Sequence, residues 1–244
     1  MSQTLVDDAA WASPWRHRRV GEKVLLSVGL VVTALAVPTV GDLLVAAAAL
    51  ALMLGPARVP LRTVAILTTA PAAFLLLGTI PIAFQGWPPT PTAAGLARAG
   101  ELWVGSLAGT LALLLLATTT SLHHLVTWLH RLHVPAELVE IATLVYRALF
   151  VTLDTALALL AAHRARLGDT APWRRRVATT AGIAATLFTR TWQRMERLHR
   201  GLEGRGYEGE LRTLTPTPAR RPGFVVASLA LLAGIWLTGW AVRA

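Results

Sequence analysis

Two arginines occupy positions in this sequence where side-chain chemistry is easiest to assign. Arg166 and Arg205 lie 39 residues apart, each close to a glycine that predicts the end of a helix. The Arg guanidinium offers five donors in a rigid fork that suits bidentate pairing with carboxylates. At the end of a helix, such a side chain can enter an acidic cleft on a partner, although alone it would only complement the helix dipole. Arg164 competes with Arg166 for the first position.

Four histidines are the other candidates for chemistry: His123, His124, His130 and His133. Imidazole binds cobalt, nickel and zinc, and His130 and His133 have a usable helical spacing. No Asp or Glu within the run completes a ligand set. We therefore interpret the four as interfacial histidines and predict neither a metal site nor a cofactor.

Catalysis finds no support in the sequence. A phosphate loop, an HExxH helix and a GxSxG elbow are all missing, and the 244 residues include no cysteine. The hydroxyl residues of the apolar runs have no His or paired acid beside them. No catalytic residue is predicted, and an intramembrane hydrolase is disfavoured.

Composition indicates the elements that must position the two arginines. Hydrophobic residues make up 54% of the chain and charged residues only 15%, which is typical of a membrane protein rather than a soluble domain. The first two apolar runs are short, and they can span a bilayer only if Glu22 and Asp42 reach the headgroup region. Pro38, Gly41 and Asp42 predict a tight turn between them. The five apolar runs are residues 24–37, 43–54, 64–84, 102–118 and 224–242.

The charge distribution predicts the orientation of the chain. The net charge is +10, but the basic residues border apolar spans and form no separate soluble domain, so nucleic acid is not an expected partner. With the N-terminus inside, 21 of the 23 Lys and Arg residues fall on the cytoplasmic side, as the positive-inside rule requires. We predict a multi-pass protein in the lipid bilayer with a cytoplasmic N-terminus and an external C-terminus.

The long basic segment before the last apolar run predicts three further helices. Residues 118–121 can cap the first of them. Pro135 fits the first turn of the second, which should end near Gly168, and Pro172 begins the third. Three glycines then predict the end of the third helix: Gly204, Gly206 and Gly209.

The second and third of these helices differ in character. The third carries one apolar stripe, which predicts packing against protein; its members include Phe188, Trp192, Met195 and Leu198. The second helix is apolar enough to be mistaken for a sixth span, but Glu140, Arg147 and Asp154 recur every seven residues along it. Charges on one stripe favour a position against protein or in the interface, and a tilted position in the membrane for residues 136–163 also remains open.

Two stretches resemble a known family, the transmembrane T component of energy-coupling factor transporters, in its cobalt-type branch. The first, TTTSLHHLVTWLHRLHVPAELVEIATLVYRALF, carries the Thr-Thr cluster together with Pro135, Tyr146 and Arg147. The second, GLEGRGYEGELRTL, resembles the other signature of the family, with Tyr207 and Gly209 in place. The opening SPW…EK is also similar to that branch, so the resemblance covers most of the chain.

The resemblance implies a role for both arginines. In the family, two short motifs with a central Arg end two cytoplasmic coupling helices. They correspond here to Ala165-Arg166-Leu167 and Gly204-Arg205-Gly206. Many members have Ala-Arg-Gly at both places, so this chain departs from the pattern at Leu167 and Gly204. The implied partners are two cytoplasmic ATP-binding cassette ATPase subunits and a substrate-binding membrane subunit.

The resulting expectation is an all-α integral membrane protein with about five transmembrane helices and about three cytoplasmic coupling helices. Residues 1–118 would form a four-span membrane region, residues 119–221 the coupling-helix region, and residues 222–244 the C-terminal transmembrane helix. The implied function is a non-catalytic coupling subunit of an ATP-driven importer in the bacterial cell membrane. The branch implies cobalt as substrate, with nickel or a vitamin still open. A structural or assembly protein without a transport role is the alternative from another class.

Overall fold

A computed structural model describes the chain at residues 2–37, 39–85, 90–129, 134–165, 172–207 and 222–241. It divides the chain into two compact units, residues 1–128 with 216–244, and residues 129–215. The described elements, in chain order, are α1 (Ser2–Ala12), a 3-10 helix (Pro14–His17), α2 (Val20–Ala36), α3 (Thr39–Leu54), α4 (Leu61–Ala83), β1 (Phe84–Gln85), β2 (Thr90–Pro91), α5 (Ala93–Thr119), α6 (Leu122–Leu129), α7 (Ala136–Ala165), α8 (Trp173–Glu203) and α9 (Pro222–Ala241).

The first unit is a helical bundle centred on α5. This helix packs against α2, α3 and α4, while α9 lies against α2 and α3. The core side of α5 alternates large and small residues, among them the buried Ala108, Leu111 and Leu115. Leu30 of α2 and Val45 of α3 fill the space beside them. Small residues on a bundle helix let neighbouring backbones approach closely, which is the usual packing in membranes.

Long-range contacts show which helix ends lie together. The Lys23 ammonium near the start of α2 donates a hydrogen bond to the Thr119 carbonyl at the end of α5, at 2.8 Å. The Trp15 ring meets Phe224, near the start of α9, edge to face with 5.2 Å between centroids. We call this end of the bundle the Lys23 end. Helices α2, α3, α4, α5 and α9 therefore traverse the bundle in alternating directions, and α9 leads away from the N-terminal segment.

Small residues determine the packing at the opposite end. A Cβ built on Gly41 would lie 2.3 Å from Val37 Cγ1, and one built on Gly239 would lie 2.1 Å from the same atom. The prediction of a tight turn at Gly41 and Asp42 was wrong, because both lie in the first turn of α3. Gly41 allows Val37 to pack closely against the start of α3. The negative charge of the Asp42 carboxylate is favourable near a helix N-terminus.

Two acidic residues near the ends of the short apolar runs, Glu22 and Asp42, are buried in the bundle. Asp42 exposes only 7% of its surface and Glu22 only 9%. Asp42 packs against α5, where a Cβ on Gly105 would lie 3.0 Å from its Oδ2. Both carboxyl groups are therefore enclosed by protein rather than directed toward lipid.

The surface of the helices confirms an all-α membrane protein. By length and apolar composition, four of the described helices could cross a membrane: α4, α5, Glu137–Ala165 within α7, and α9; α3 is a shorter apolar helix. Large apolar side chains point outward, among them Leu35, Phe74, Leu77 and Leu237. That is the surface that lipid tails require, and the count of five spans stays a prediction.

The second unit consists mainly of α7 and α8 side by side. Clefts between them are lined by Leu144 with Leu198, and by His163 with Thr179. The two helices are therefore antiparallel over most of their length. The half-buried residues of α8 are Thr179, Ile183, Leu187, Thr191, Met195, Leu198 and Leu202.

The predicted apolar stripe of α8 is only partly the packed one. Met195 and Leu198 line the contact with α7, but Phe188 and Trp192 are 69% and 66% exposed and stack on each other with 6.3 Å between centroids. Phe188 and Trp192 lie outside the contact with α7 because the residues of that contact do not repeat at the helical period of 3.6. Ile183, Leu187 and Met195 are separated by multiples of four residues, and four residues overshoot a 3.6-residue turn, so the contact line drifts around α8.

Candidate functional site

The end of α8 forms a defined turn around Arg205. The Gly206 N–H donates to the Glu203 carbonyl at 3.0 Å, and the Tyr207 N–H donates to the Leu202 carbonyl at 3.1 Å. Gly206 has a left-handed φ of 72°. This pair of bonds closing over a left-handed glycine is the Schellman motif, which caps a helix and turns the chain away from its axis. The geometry accounts for the glycine, since a residue with a Cβ is disfavoured in that conformation.

Tyr207 fixes the turn to the neighbouring helix. Its hydroxyl donates a hydrogen bond to Glu140 Oε1, in the early turns of α7. This bond, together with partial burial and the nearby negative charge, raises the pKa of the Tyr207 phenol above its usual value. The phenol is therefore protonated at neutral pH and acts as the donor. The sequence signature containing Tyr207 is thus brought beside the start of the helix that contains Tyr146 and Arg147.

Arg205 is presented by this turn to solvent. The residue is exposed, and its guanidinium has no hydrogen-bond or ion-pair partner among the described residues. The acids of the last turns of α8 are engaged elsewhere: Glu196 pairs with Arg200, and Glu203 lies 3.2 Å from His199 Nε2. The fork of donors on Arg205 is available for an external carboxylate.

The first arginine motif is described only in part. Ala165 is the last residue of α7, while Arg166 and Leu167 lie outside the described residues. Arg164, exposed in the last turn of α7, remains an alternative to Arg166. Gly209 of the second signature also lies outside the described residues.

The remaining signature residues have identifiable positions. The Pro135 carbonyl accepts a hydrogen bond from the Leu138 N–H at 3.1 Å, at the start of α7. Tyr146 packs edge to face on Phe150, with 4.8 Å between centroids. Arg147 lines an open cleft of about 460 Å³ between α7 and α8, together with Arg194. These residues belong to the helix pair that carries the Arg205 turn.

The histidines are brought into no metal centre within the described ranges, where no group of three or more His, Asp or Glu could hold an ion. His124 Nδ1 lies 2.9 Å from Ser121 Oγ, and its ring is 6.0 Å from that of Trp11. His130 and His133 lie outside the described residues.

The Thr-Thr cluster and Lys23 form a feature that the residue patterns did not reveal. Lys23 is the only lysine in the sequence, and only 1% of its surface is exposed. Thr118 and Thr119 are also buried, and their hydroxyls donate back to the carbonyls of Leu114 and Leu115 at 2.7 and 2.6 Å. The one available indication was the unusual choice of a single lysine among many arginines at the start of an apolar run.

Comparison with known proteins gives a match over most of the chain. The family model described as CbiQ, cobalt transport protein, matches residues 12–216. Cobalt transport protein CbiQ of Rhodobacter capsulatus is 40% identical over 242 residues, covering 98% of this chain and 99% of that protein. Cobalt transport protein CbiQ of Salmonella typhimurium is 30% identical over 227 residues, covering 85% of this chain and 98% of that protein.

A further relative is a longer protein. The putative fused cobalt transport protein CbiMQ of Methanocorpusculum labreanum is 28% identical over 120 residues, covering 48% of this chain and 20% of that protein.

Proposed function

Because this chain belongs to the CbiQ family of cobalt transport proteins, we propose that it is the coupling subunit of an ATP-driven cobalt importer of the energy-coupling factor type. In this role the chain hydrolyses no ATP. It transmits the closing motion of two cytoplasmic ATP-binding cassette ATPase subunits to a substrate-binding membrane subunit. The family description favours cobalt over nickel or a vitamin as the transported substrate.

The observation that carries this proposal is the presentation of Arg205. An exposed guanidinium on a capped turn at the end of a 31-residue helix is suited to insertion into an acidic groove of an ATPase subunit. Arg166, which follows the last residue of α7 in the sequence, would serve the second ATPase subunit. Two arginine-bearing ends on one helix pair let both ATPases move that pair as a unit.

The pairing of α7 with α8 supports a cytoplasmic coupling region within residues 119–221. Although α7 is apolar enough to span a membrane, α8 accompanies it and carries Arg190, Arg194 and Arg197 beside it. Moving such charges to the bilayer centre costs about 2.5–3.5 kcal/mol each on insertion scales. We therefore place both helices at the cytoplasmic face, with residues 1–118 and 222–244 as the membrane-embedded regions.

The contacts at the Lys23 end support a cytoplasmic N-terminus and an external C-terminus. Ser13 Oγ donates to the Ala57 carbonyl at 2.9 Å, so the N-terminal segment lies over the turn that contains Arg58. The Arg18 guanidinium lies 4.4 Å from the centroid of the Phe224 ring at the start of α9. Basic residues thus gather at this end of the bundle, as expected for the cytoplasmic side, and α9 leads to the opposite side.

The fused relative supports a membrane partner. In the Methanocorpusculum labreanum protein, a segment similar to this chain belongs to a putative fused cobalt transport protein that extends well beyond the similar segment. The present chain would act beside a separate substrate-binding subunit that supplies the capture of the ion. The alternative of a purely structural membrane protein predicts no dependence of ATP-driven Co²⁺ uptake on this chain.

Charge reversal tests the proposal. We expect Arg205→Glu to loosen one ATPase subunit, and Arg205→Glu with Arg166→Glu to release both and abolish Co²⁺ uptake. Breaking one side of a docked charge pair costs about 3–5 kcal/mol. Arg205→Lys should rescue only partly, because it lacks the bidentate fork. The measurements are retention of the ATPase subunits on the purified membrane protein and Co²⁺ uptake by reconstituted vesicles.

Arg174→Glu provides the matched control, since it makes the same charge change on the exposed first turn of α8. It should retain both ATPase subunits. Full retention and normal uptake in the doubly reversed variant would show that the coupling assignment is wrong.

A further inference from the structure

We infer that Tyr207 and Glu140 are positioning residues that hold Arg205 in its docking geometry. The inference rests on the proposed coupling role of Arg205 and names the residues that prepare it. Tyr207 follows Arg205 by two residues, and Glu140 lies 67 residues earlier in the chain, on α7. Their hydrogen bond therefore joins the end of one coupling helix to the start of the other.

We call the hydrogen bond between Tyr207 and Glu140 the anchor. The sequence around Arg205 makes such a restraint necessary. Arg205 stands between Gly204 and Gly206, and glycine is the residue with the greatest backbone freedom. The backbone bonds of the turn are exposed to water, which competes for them. Tyr207 counters this freedom at two points, since its N–H bonds to the Leu202 carbonyl at 3.1 Å and its hydroxyl bonds to Glu140.

The chemistry of the anchor suits a permanent constraint. A carboxylate acceptor makes a stronger hydrogen bond than a neutral one, and the pair is partly buried. Ordering a flexible segment at the moment of docking reduces affinity, whereas a segment ordered beforehand avoids that cost. The anchor should therefore strengthen ATPase binding without itself touching the ATPase.

Affinity measurements on the whole membrane subunit test the inference. The chain would be purified in lipid nanodiscs and titrated with its two ATPase subunits. We expect Tyr207→Phe and Glu140→Ala each to weaken binding by about 3- to 10-fold, the usual effect of one such hydrogen bond. The double variant should be no weaker than either single one, because both remove the same bond. Glu140→Gln, which keeps an acceptor oxygen but loses the charge, should weaken binding less than Glu140→Ala does, and it tests the bond even if Glu140→Ala folds poorly.

Glu137→Ala is the matched control, because it removes an exposed carboxylate one turn before Glu140. It should leave the affinity unchanged. If Glu137→Ala and Glu140→Ala lowered the affinity for the ATPase subunits equally, the effect would come from the loss of negative charge alone, and the inference would be overturned.

The decisive comparison repeats Tyr207→Phe in an Arg205→Ala background. If Tyr207 acts through Arg205, its substitution should then change the affinity by about twofold or less. An undiminished effect of Tyr207→Phe in that background would show a role independent of Arg205 and refute the positioning inference alone. If instead Arg205→Ala by itself leaves the affinity unchanged, the coupling role of Arg205 fails.

Discussion

At the scale of single residues, Lys23 makes a buried hydrogen bond that joins two helix ends of the bundle. Its ammonium is buried and directed at the last carbonyl of α5, where the negative end of the helix dipole favours a positive charge. The bond ties the start of α2 to the last turn of α5, which contains Thr118 and Thr119. Removing the ammonium leaves the Thr119 carbonyl buried without that donor.

We expect Lys23→Met to lower the stability of the membrane subunit by about 1–3 kcal/mol, the typical cost of a lost hydrogen bond in a buried site. Lys23→Arg should retain little of this stability, because the larger planar guanidinium does not fit a site shaped for a compact ammonium. Thermal unfolding of the purified protein in detergent provides the measurement.

The exposed Arg62 at the start of α4 offers the control, and Arg62→Met should change stability by less than about 0.5 kcal/mol. Equal melting temperatures for Lys23→Met and the unmodified protein would contradict a stabilising role for this bond.

Sequence patterns located Arg205 but not the residues around Lys23. The end of α8 follows from glycine and the left-handed cap, which is local chemistry that a sequence displays. The bond between Lys23 and Thr119 joins residues 96 positions apart, and the partner of a buried lysine is fixed only when helices have packed. The bond from Tyr207 to Glu140 escaped prediction for the same reason. The role of Arg166 and Arg205 in ATPase coupling stays a prediction.

At the scale of elements, the two faces of α8 have different neighbours. Met195 is half-buried against α7, whereas Thr189 is exposed and lines none of the clefts between the two helices. A carboxylate introduced at Met195 must either be desolvated or force the helices apart, whereas one at Thr189 remains in water. This difference gives a test of the helix pair.

We expect Met195→Asp to open the pairing of α7 and α8 and to increase amide hydrogen exchange in both helices, while Thr189→Asp leaves exchange unchanged. Loss of the pairing should also reduce ATPase binding, because the anchor on Arg205 depends on α7. Protection factors that are identical for the two variants would mean that the packed face of α8 has been misassigned.

Pro172 and the glycines from Gly204 onward predicted the start and end of α8, but helix periodicity did not predict its packed face in full. The apolar positions of an amphipathic helix indicate a stripe, but the crossing of a second helix decides which part of that stripe is covered, and this left Phe188 and Trp192 exposed. The N-terminal helix α1 was not predicted, since a helix of 11 residues is marginal by itself. It is held by packing against α5, which the sequence does not display.

At the scale of the whole molecule, the all-α membrane architecture was predictable because apolar composition and the bilayer impose it. The division at residues 118/119 and 221/222 stays a prediction. What the sequence could not supply is the burial of Asp42 and Glu22 inside the bundle, because an acid near the end of an apolar run looks the same whether lipid headgroups or protein surround it.

Helix length in the bundle has a consequence for the surrounding lipid. The 17 residues of α2 and 16 residues of α3 span only about 25 Å, whereas the hydrocarbon core is about 30 Å thick. The 27-residue α5 is long enough, but it stands at the centre of the bundle. If α2 and α3 span the membrane as predicted, the bilayer beside them must thin, at a cost of fractions of a kcal/mol for each ångström of hydrophobic mismatch.

We expect Co²⁺ uptake to be faster in reconstituted vesicles of short-chain phosphatidylcholine than in vesicles of long-chain phosphatidylcholine, because long acyl chains raise this mismatch. The uptake rate would be divided by the amount of ATPase bound to the membrane subunit in each preparation. Equal rates across acyl-chain lengths would show that α2 and α3 do not set the local thickness. Through two short helices the protein would then respond to membrane thickness, and the acyl-chain composition of the membrane would influence metal supply.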